Sequence, residues 1–409
     1  MAPAIALEEA EGPMNDRRGS TRRDFLRSTG IAAASLAAMP EFLAACGTGS
    51  TSGGASKGTL NFADVGVGDP GSWKQFTSAS GWGVHVITMG NDPAQVLNVL
   101  ISGGGLTTYD VANTVGGYQQ PLVSKNLIKP IDTSRIPNWA GDTLINKFLA
   151  PGSKGFDFIG YQGKTYGVPT VMQGDSFAYF SDQTGVLDSY GALFDSHFKG
   201  YSALEDNYTT SGQKTALYLK LSGQADIKDP ADMTPAEIKT VVDFLIQKKK
   251  AGQFRTIWSS FQDAVDLMTR KDVLVIDCWE PMVFTVQPKG LNWVYAKPKE
   301  GFLLWSMAGY IINNPKRTGD EAGIYDLFNF MLGGWYGAKI TLLRGYMTNP
   351  QAAAYAKAHP AEFSAADAQK IETITANVQA KFAQGGTWQA RWPTNVAVYE
   401  SEWARFKAA

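Results

Sequence analysis

The sequence predicts an α/β protein in two lobes or domains, and three observations support this. Short apolar strand patterns alternate with helical patterns along the first part of the chain. The composition, with 44% hydrophobic and 18% charged residues, is that of a globular protein with a buried core. About 350 residues follow residue 57, which is too many for one simple core.

The elements of the first part follow from local patterns. Residues 59–64 (TLNFAD) and 84–88 (VHVIT) are predicted strands, with a short helix at 73–78 between them. Residues 93–102 (PAQVLNVLIS) are a predicted helix because apolar side chains recur every three or four positions before a run of glycines. Residues 109–112 (YDVA) begin the next predicted strand, so the chain alternates β and α.

In the second half, the clearest element is a helix that starts near residue 235. The TPAE sequence at 234–237 combines a capping box with proline at the first helical position. Apolar residues follow at helical spacing until Gly252, which closes the helix. Residues 273–277 (VLVID) and 306–313 (SMAGYIIN) are predicted buried strands, and 320–332 is a predicted helix.

The first 46 residues predict an export signal with lipid attachment. The run TRRDFLR, which contains Arg22 and Arg23, resembles the twin-arginine export signature. The apolar run at 31–39 is far shorter than the roughly 20 residues that span a bilayer, as in a cleaved signal. The sequence LAAC resembles a bacterial lipobox, in which Cys46 becomes the lipidated N-terminus. Met14 offers a second start that places the basic region first.

A Gly/Ser-rich tether follows the lipobox. Residues 47–57 (GTGSTSGGASK) are flexible by composition. We therefore expect the twin-arginine export machinery to translocate the protein and a lipid anchor to hold it. The expected location is the periplasm or the outer face of the cytoplasmic membrane.

Charge and cysteine content exclude several classes of function. Residues 46–409 contain 32 Lys and Arg against 32 Asp and Glu, so no basic face for nucleic acid is expected. After lipidation, Cys278 is the sole remaining cysteine, which excludes a disulfide framework, and its apolar flank predicts a buried thiol. The three histidines are scattered along the chain. We expect no catalytic residue, no metal site and no cofactor.

One glycine motif leaves a second function open. Gly66, Gly68 and Gly71 fit G-x-G-x-x-G after a predicted strand and before a predicted helix, with Asp92 about 20 residues further on. The alternative function is therefore an exported nicotinamide-dependent oxidoreductase. Against it, Asp69 places negative charge where a pyrophosphate must bind, and the helix that follows is short.

Five segments in the body of the chain carry recognisable motifs in a fixed order. Residues 161–180 (YQGKTYGVPTVMQGDSFAYF) contain a Gly-Lys-x-Tyr-Gly-Val-Pro turn and strand. The other segments are 109–132 (YDVANTVGGYQQPLVSKNLIKPID), 216–230 (ALYLKLSGQADIKDP), 297–317 (KPKEGFLLWSMAGYIINNPKR) and 344–353 (RGYMTNPQAA). Together they resemble the solute-binding proteins of bacterial ABC importers, and most closely the spermidine/putrescine-binding group. The resemblance covers nearly all of 58–409.

The resemblance implies a two-lobed periplasmic-binding-protein-like fold of type II. Each lobe is then a mixed sheet flanked by helices, and the lobes hinge shut on a ligand in the cleft between them. The implied division is 58–170 with 280–345 in lobe 1, and 171–279 with 346–409 in lobe 2. The implied crossings lie near 168–172 and 278–282. A protein of this kind is a non-enzymatic, monomeric receptor that hands a small-molecule solute to an ABC permease in the membrane.

The implied solute is small, cationic and nitrogenous: a polyamine such as putrescine or spermidine, or a related amino-acid derivative or opine-like compound. Such a ligand needs carboxylates for its ammonium groups and aromatic faces for its methylenes. The candidate ligand-binding residues are Asp64, Tyr118, Asp175, Asp206, Trp279, Glu280 and Trp305. Glu280 leads because it lies beside a tryptophan at the expected second crossing.

Three departures from the polyamine-binding pattern leave the solute open. Gly66 takes the place of an acid, Gly117 that of an aromatic residue and Gln173 that of a tryptophan. These departures bear on the solute more than on the fold. A ligand-free structural or sensory lipoprotein is a third class, which would keep the fold and lack a polar cleft.

Overall fold

The computed structural model describes residues 57–89, 93–317, 321–390 and 392–409. The predicted signal, the lipobox and nearly all of the tether lie outside these ranges, and Arg22, Arg23 and Cys46 with them. Among the described residues, none of the helices is both long enough and apolar enough to span a membrane.

The strands and helices alternate along the described chain. The strands are β1 Gly58–Asp64, β2 Trp82–Thr88, β3 Val111–Val115, β4 Ile128–Lys129, β5 Gly160–Tyr161, β6 Lys164–Thr165, β7 Gly167–Phe180, β8 Ser202–Glu205, β9 Phe254–Trp258, β10 Val275–Cys278, β11 Trp293–Tyr295, β12 Phe302–Ile312 and β13 Gly386–Trp388. The α-helices are α1 Lys74–Ser80, α2 Pro93–Ile101, α3 Gly105–Thr108, α4 Gln119–Ser124, α5 Pro137–Gly141, α6 Thr143–Phe148, α7 Ser181–Thr184, α8 Gln213–Leu221, α9 Pro235–Lys250, α10 Phe261–Arg270, α11 Glu280–Val286, α12 Ala322–Met331, α13 Gly334–Arg344, α14 Ala352–Ala358, α15 Ala365–Gln384 and α16 Val396–Ala408. Short 3₁₀ turns and one π-turn, Tyr208–Gly212, complete the set.

One mixed sheet runs through the molecule in the order β2-β1-β3-β12-β7-β10-β8-β9. Strands β4 and β13 add to β12, and β11 adds to β7, while β5 and β6 form a separate pair. Strand β1 is parallel to β2 and β3, and β8 is parallel to β9 and β10. Strand β7 is antiparallel to β10, β11 and β12, whereas β12 is antiparallel to β3, β4 and β7 but parallel to β13. The predicted α/β class with mixed sheets is confirmed.

Strand β7 joins the two halves of this sheet. From Gly167 to Asp175 it pairs with β12, and from Ser176 onward it pairs with β10. All 14 of its residues are buried. The chain therefore changes lobe at Asp175 and Ser176, a few residues after the expected crossing at 168–172.

Buried apolar side chains form a core in each half. The first-lobe core includes Phe62, Val111, Val168, Ile311, Phe328 and Phe382. In the second lobe, alternate residues of β7 enter two clusters: Phe177 and Tyr179 pack in one, and Ala178 and Phe180 in the other. This alternation places the two clusters on opposite faces of the sheet.

Two segments pack in a different lobe from the one that the resemblance implies. Helix α11 and strand β11 contribute Met282, Val283 and Trp293 to a second-lobe core, although the resemblance assigns residues 280–345 to lobe 1. Helix α15 contributes Val378 and Phe382 to the first-lobe core, although the resemblance assigns residues 346–409 to lobe 2. The reason is that β11 still pairs with β7 in the second lobe, so the return crossing comes just before β12. A third crossing precedes α16, which packs in the second lobe.

Local predictions agree with the structure where the signal is local. The capping box is present, since Glu237 N donates to Thr234 Oγ1 and Thr234 N donates to Glu237 Oε2 at 2.7 Å. The strand predicted at 109–112 instead covers Val111–Val115. Asp110 precedes it because its carboxylate accepts from Asn61 N at 2.8 Å.

Candidate functional site

A cavity of about 1000 Å³ lies between the two lobes. The first lobe lines it with the loop after β1 (residues 65–67), with β12 side chains and with the end of α13. The second lobe lines it with the end of β8 and the segment that follows (residues 205–208), the start of α11 and the helix α16. Its size is within the range of small-molecule sites.

Four of the seven candidate residues line this cleft: Asp175, Asp206, Trp279 and Trp305. The other three residues, Asp64, Tyr118 and Glu280, lie behind its walls and are each at most 3% exposed. Tyr118 packs in the first-lobe core. The part that any of the seven plays in ligand binding stays a prediction.

Two buried carboxylates form part of the cleft floor. Asp175 is 1% exposed and lies where β7 changes partner strand. Glu205 is 5% exposed and is the last residue of β8, at the end of a parallel strand where α/β proteins bind ligands. Glu205 accepts a hydrogen bond from Trp279 Nε1 at 3.2 Å, and Trp279 packs edge-on against Trp258. The indole thus holds this carboxylate at the cleft.

Asp277 pairs with a buried lysine beneath the floor. Lys214 Nζ lies 2.5 Å from Asp277 Oδ1 and also donates to Ser176 O at 2.9 Å. Burial lowers the pKa of Lys214, but the carboxylates of Asp277, Asp175 and Glu205 outweigh burial and raise it overall. Asp277 is therefore part of the structural network.

Glu280 pairs with a second buried lysine and does not line the cleft, contrary to the expectation from the sequence. Lys381 Nζ lies 2.6 Å from Glu280 Oε2, and Asn377 Nδ2 donates to Glu280 Oε1 at 2.7 Å. Burial lowers the pKa of Lys381, and the carboxylate of Glu280 opposes this. The residues on either side, Trp279 and Pro281, line the cleft instead.

Asp64 supports a cleft loop from behind. Its carboxylate accepts from Gly66 N at 2.8 Å, Gly68 N at 3.0 Å and Asn113 Nδ2 at 2.7 Å. Burial raises the pKa of Asp64 to about 6, while the bonds from Asn113, Gly68 and Gly66 oppose the rise. The side chain thus fixes the loop whose outer residues, 65–67, line the cleft.

The same bonds argue against a dinucleotide site at the glycine motif. The amide groups of Gly66 and Gly68 donate to Asp64, and the amide of Gly71 donates to Asp69 Oδ1 at 2.9 Å. A pyrophosphate needs these N–H groups free and no carboxylate beside them. The loop therefore satisfies its own donors, and the oxidoreductase alternative has no phosphate cradle here.

Aromatic residues that are not among the seven candidates complete the cleft. The residues are Tyr208, Phe261, Phe284, Tyr346 and Trp403. Tyr346 lies edge-on to Trp305, with ring centroids 5.5 Å apart. Trp403 Nε1 donates to Asp206 Oδ1 at 2.8 Å, and Lys407 Nζ lies 3.2 Å from Asp206 Oδ2. Helix α16 thus closes one side of the cleft around Asp206.

Some of the cleft residues outside the candidate set lie in or beside segments that the sequence marked as informative. Arg344 and Tyr346 lie in the RGYMTN segment that carries part of the resemblance, at the end of α13. Glu205 precedes the candidate Asp206. Trp403 lies on a C-terminal helix without a recognisable motif, so only the tertiary structure brings it to the cleft.

The family of bacterial extracellular solute-binding proteins matches residues 72–370. The chain belongs to this family. Its fold and family are those of transport substrate-binding proteins, which are extracellular.

Solved structures of the same fold cover nearly all of the described chain. A spermidine/putrescine ABC transporter substrate-binding protein from Streptococcus pneumoniae is 17% identical, with 86% of this chain and 99% of that chain covered and a TM-score of 0.66. A Treponema pallidum lipoprotein is 14% identical, with 85% and 99% covered and a TM-score of 0.63. The PBP MotA from A. tumefaciens B6, in complex with glucopine, is 16% identical, with 85% and 99% covered and a TM-score of 0.63. The predicted two-lobed fold is confirmed.

Proposed function

We propose that this solute-binding protein is the receptor of an ABC importer and that its cleft binds a small cationic nitrogenous solute. A polyamine such as putrescine or spermidine, or a related compound, fits the site. The receptor delivers the solute to a membrane permease. The proposal rests on the charge and the aromatic lining of the cleft.

The observation that carries the proposal is the placement of two buried carboxylates, those of Asp175 and Glu205, in the lining of the cleft. Beneath this lining, Lys214 and Lys381 lie within 2.6 Å of the carboxylates of Asp277 and Glu280. A carboxylate that is largely removed from water forms a strong charge-assisted hydrogen bond with an ammonium group. A cationic solute in the cleft would place its ammonium group next to Asp175 and Glu205.

The aromatic lining suits the carbon chain of such a solute. Trp279, Trp305, Tyr346 and Trp403 surround the acidic floor. Their rings offer apolar surface to methylene groups and a favourable face to an ammonium group. Polyamines and related amines combine both features.

Two solved structures of this fold support a class of solute, because their names refer to different compounds. The protein from Streptococcus pneumoniae belongs to a spermidine/putrescine transporter, and the one from A. tumefaciens was crystallised with glucopine. At 17% and 16% identity, these relatives share the fold. We therefore propose the charge and the size of the solute and not a single compound.

We further propose that the twin-arginine machinery exports the protein and that a lipid on Cys46 anchors the monomer outside the cytoplasm. The arginine pair at 22–23, the LAAC sequence and the Gly/Ser-rich tether support this. A tethered receptor stays close to its permease while it samples the medium.

A thermal-shift screen tests the proposed function. The purified protein is heated with polyamines, amino acids, sugars or NAD(P). A ligand that binds the native state stabilises it by RT ln(1 + [L]/Kd), about 2.7 kcal/mol at one hundred times Kd. We expect amines to raise Tm. A rise with sugars alone would contradict the cationic solute, and a rise with NAD(P) alone would support the oxidoreductase.

A further inference from the structure

One cation on the cleft wall has no carboxylate partner among the described residues. Arg344 is the last residue of α13 and lines the cleft from the first lobe. Its Nη2 donates to the backbone oxygen of Asp69 at 3.3 Å. Its Nε is buried and finds no acceptor in the described part of the chain. The guanidinium therefore uses few of its five donors.

The other cations of the cleft and its floor differ from Arg344. Lys407 pairs with Asp206, as described above. The two lysines of the floor, Lys214 and Lys381, each have a carboxylate within 2.6 Å. Lys370 lines the cleft but is exposed to water. Arg344 alone combines partial burial with the absence of an anion, within the ranges that the structure describes.

A second donor lies in the same wall. Trp305 is 6% exposed, and its Nε1 has no hydrogen-bond acceptor within the described ranges. Its ring packs against Tyr346, two residues after Arg344. This wall thus presents N–H donors, whereas the floor presents the carboxylates of Asp175 and Glu205. Buried donors in native proteins are nearly always satisfied, which points to an acceptor supplied by the ligand.

Tyr346 lies between the two regions. Burial raises the pKa of Tyr346 well above its ordinary value, and the charges of Asp175 and Glu205 raise it further. The positive charge of Arg344 acts in the opposite direction. Arg344 and Tyr346 line the same cleft as Asp175 and Glu205, so one small molecule in the cleft can contact both charged regions.

The position of Arg344 at a helix C-terminus gives a simpler explanation for an arginine here. A cation is favourable at the end of a helix. An exposed arginine would be sufficient for that role. The helix C-terminus therefore does not account for a buried Nε without an acceptor beside a ligand cleft.

We propose that the solute is a zwitterion, with a carboxylate that binds Arg344 and an ammonium group that binds the acidic floor. The inference rests on the proposed function, because it uses the same cleft and the same acids. An amino acid with a separated amine and carboxylate, or a derivative that keeps both groups, has the required chemistry. Arginine binds carboxylates in a bidentate geometry, so Arg344 selects for this group.

Calorimetric titration with matched probes tests the inference. The probes are 4-aminobutanoate, 5-aminopentanoate and 6-aminohexanoate, each paired with the diamine of the same carbon number. We expect the wild type to bind at least one amino acid more tightly than its diamine. Arg344→Gln should lower the affinity for that amino acid by about tenfold or more and the affinity for the diamine by less than about threefold. The control, Lys250→Gln, removes an exposed cation at the end of α9, outside the cleft lining, and should change the affinity for neither compound by more than about threefold.

The outcomes separate this inference from the proposed function. Binding of diamines without binding of any amino acid, or an Arg344→Gln variant with unchanged amino-acid affinity, overturns the zwitterion and leaves the cationic solute. Binding of none of the amines overturns both. If Arg344→Gln does not fold, Arg344→Lys is titrated instead. This variant keeps the positive charge but loses the planar guanidinium. We expect it to lower the affinity for the amino acid by about threefold or more and to leave the affinity for the diamine unchanged.

Discussion

Lys381 Nζ lies 2.6 Å from Glu280 Oε2 and joins α15 of the first lobe to α11 of the second, with side chains 3% and 4% exposed. Lys381 also donates to Gln173 Oε1 at 2.9 Å and to Gly174 O at 3.1 Å, both on β7. The pair therefore fixes the contact between the lobes beside the strand that connects them.

Glu280→Gln should lower the free energy of unfolding by about 3–5 kcal/mol, because it leaves Lys381 buried without its counter-charge. The double variant Glu280→Gln with Lys381→Met removes that charge and should lose less. Urea denaturation measures both.

The control for this prediction is the exposed pair of Lys357 and Glu372, 2.7 Å apart with side chains 55% and 43% exposed. Glu372→Gln should cost less than about 1 kcal/mol. A Glu280→Gln variant no less stable than Glu372→Gln would contradict the structural role of the buried pair.

Asp64 should make stability depend on pH. Burial raises the pKa of Asp64 from 3.8 to about 6, so the native state holds the proton more tightly than the unfolded chain does. The resulting stabilisation is full below about pH 4 and is lost as the pH rises through about 6. At about 1.4 kcal/mol per pKa unit, the loss is on the order of 3 kcal/mol.

Comparison with Asp64→Asn isolates this effect from other titrating groups. The stability of the wild type relative to the variant should fall by about 3 kcal/mol between pH 3.5 and pH 7.5, measured by denaturant unfolding at each pH. A difference that does not change with pH would show that Asp64 titrates normally.

Gly345 should matter for closure of the cleft. It adopts φ +72°, and a Cβ atom there would lie 2.7 Å from Phe284 Cδ2 on α11 of the other lobe. Gly345→Ala should therefore push the lobes apart at this point and weaken solute binding by about tenfold, besides a backbone cost of about 1 kcal/mol. Affinity is measured by calorimetry with the solute that the screen identifies.

Gly290 provides the matched control, since it has φ +76° and no atom within 4 Å of a Cβ. Gly290→Ala has the same backbone strain and should leave the affinity unchanged. Equal affinities in the two variants would mean that contact at Gly345 does not limit closure.

Cys46→Ser should release the protein from membranes, because the proposed lipid is attached to this thiol. Cell fractionation measures the distribution, and Cys278→Ala is the control, since that thiol is buried in the second lobe. A Cys46→Ser protein that still sediments with membranes would overturn the anchor.

The sequence predicted the elements and the fold where the information is local or ordered along the chain. The capping box at 234–237 lies within one helical turn, and the five motifs follow one another in a recognisable order. The lobe to which α11, β11 and α15 belong depends on which distant strand or core each contacts. Periodicity and turn residues do not contain that information.

The same distinction explains the candidate site. Asp175 and Trp305 lie on the strands that pass between or border the lobes, so their placement at the cleft follows from the fold. The position of Glu280 could not be predicted in this way, because its partner Lys381 is 101 residues away in sequence. A carboxylate beside a tryptophan suggests a ligand site, but only the tertiary structure shows that this carboxylate pairs with a lysine.

The charge of the bound solute tests the proposed function most directly. Isothermal titration compares amines, sugars and dicarboxylates on the wild type, on Asp175→Asn and on Glu205→Gln. We predict that an amine binds the wild type and that its affinity falls by about thirtyfold or more when either carboxylate is neutralised, since a buried charge-assisted bond is lost. Tight binding of an uncharged or anionic solute with no binding of any amine, or an unchanged amine affinity in both variants, would contradict the cationic cleft.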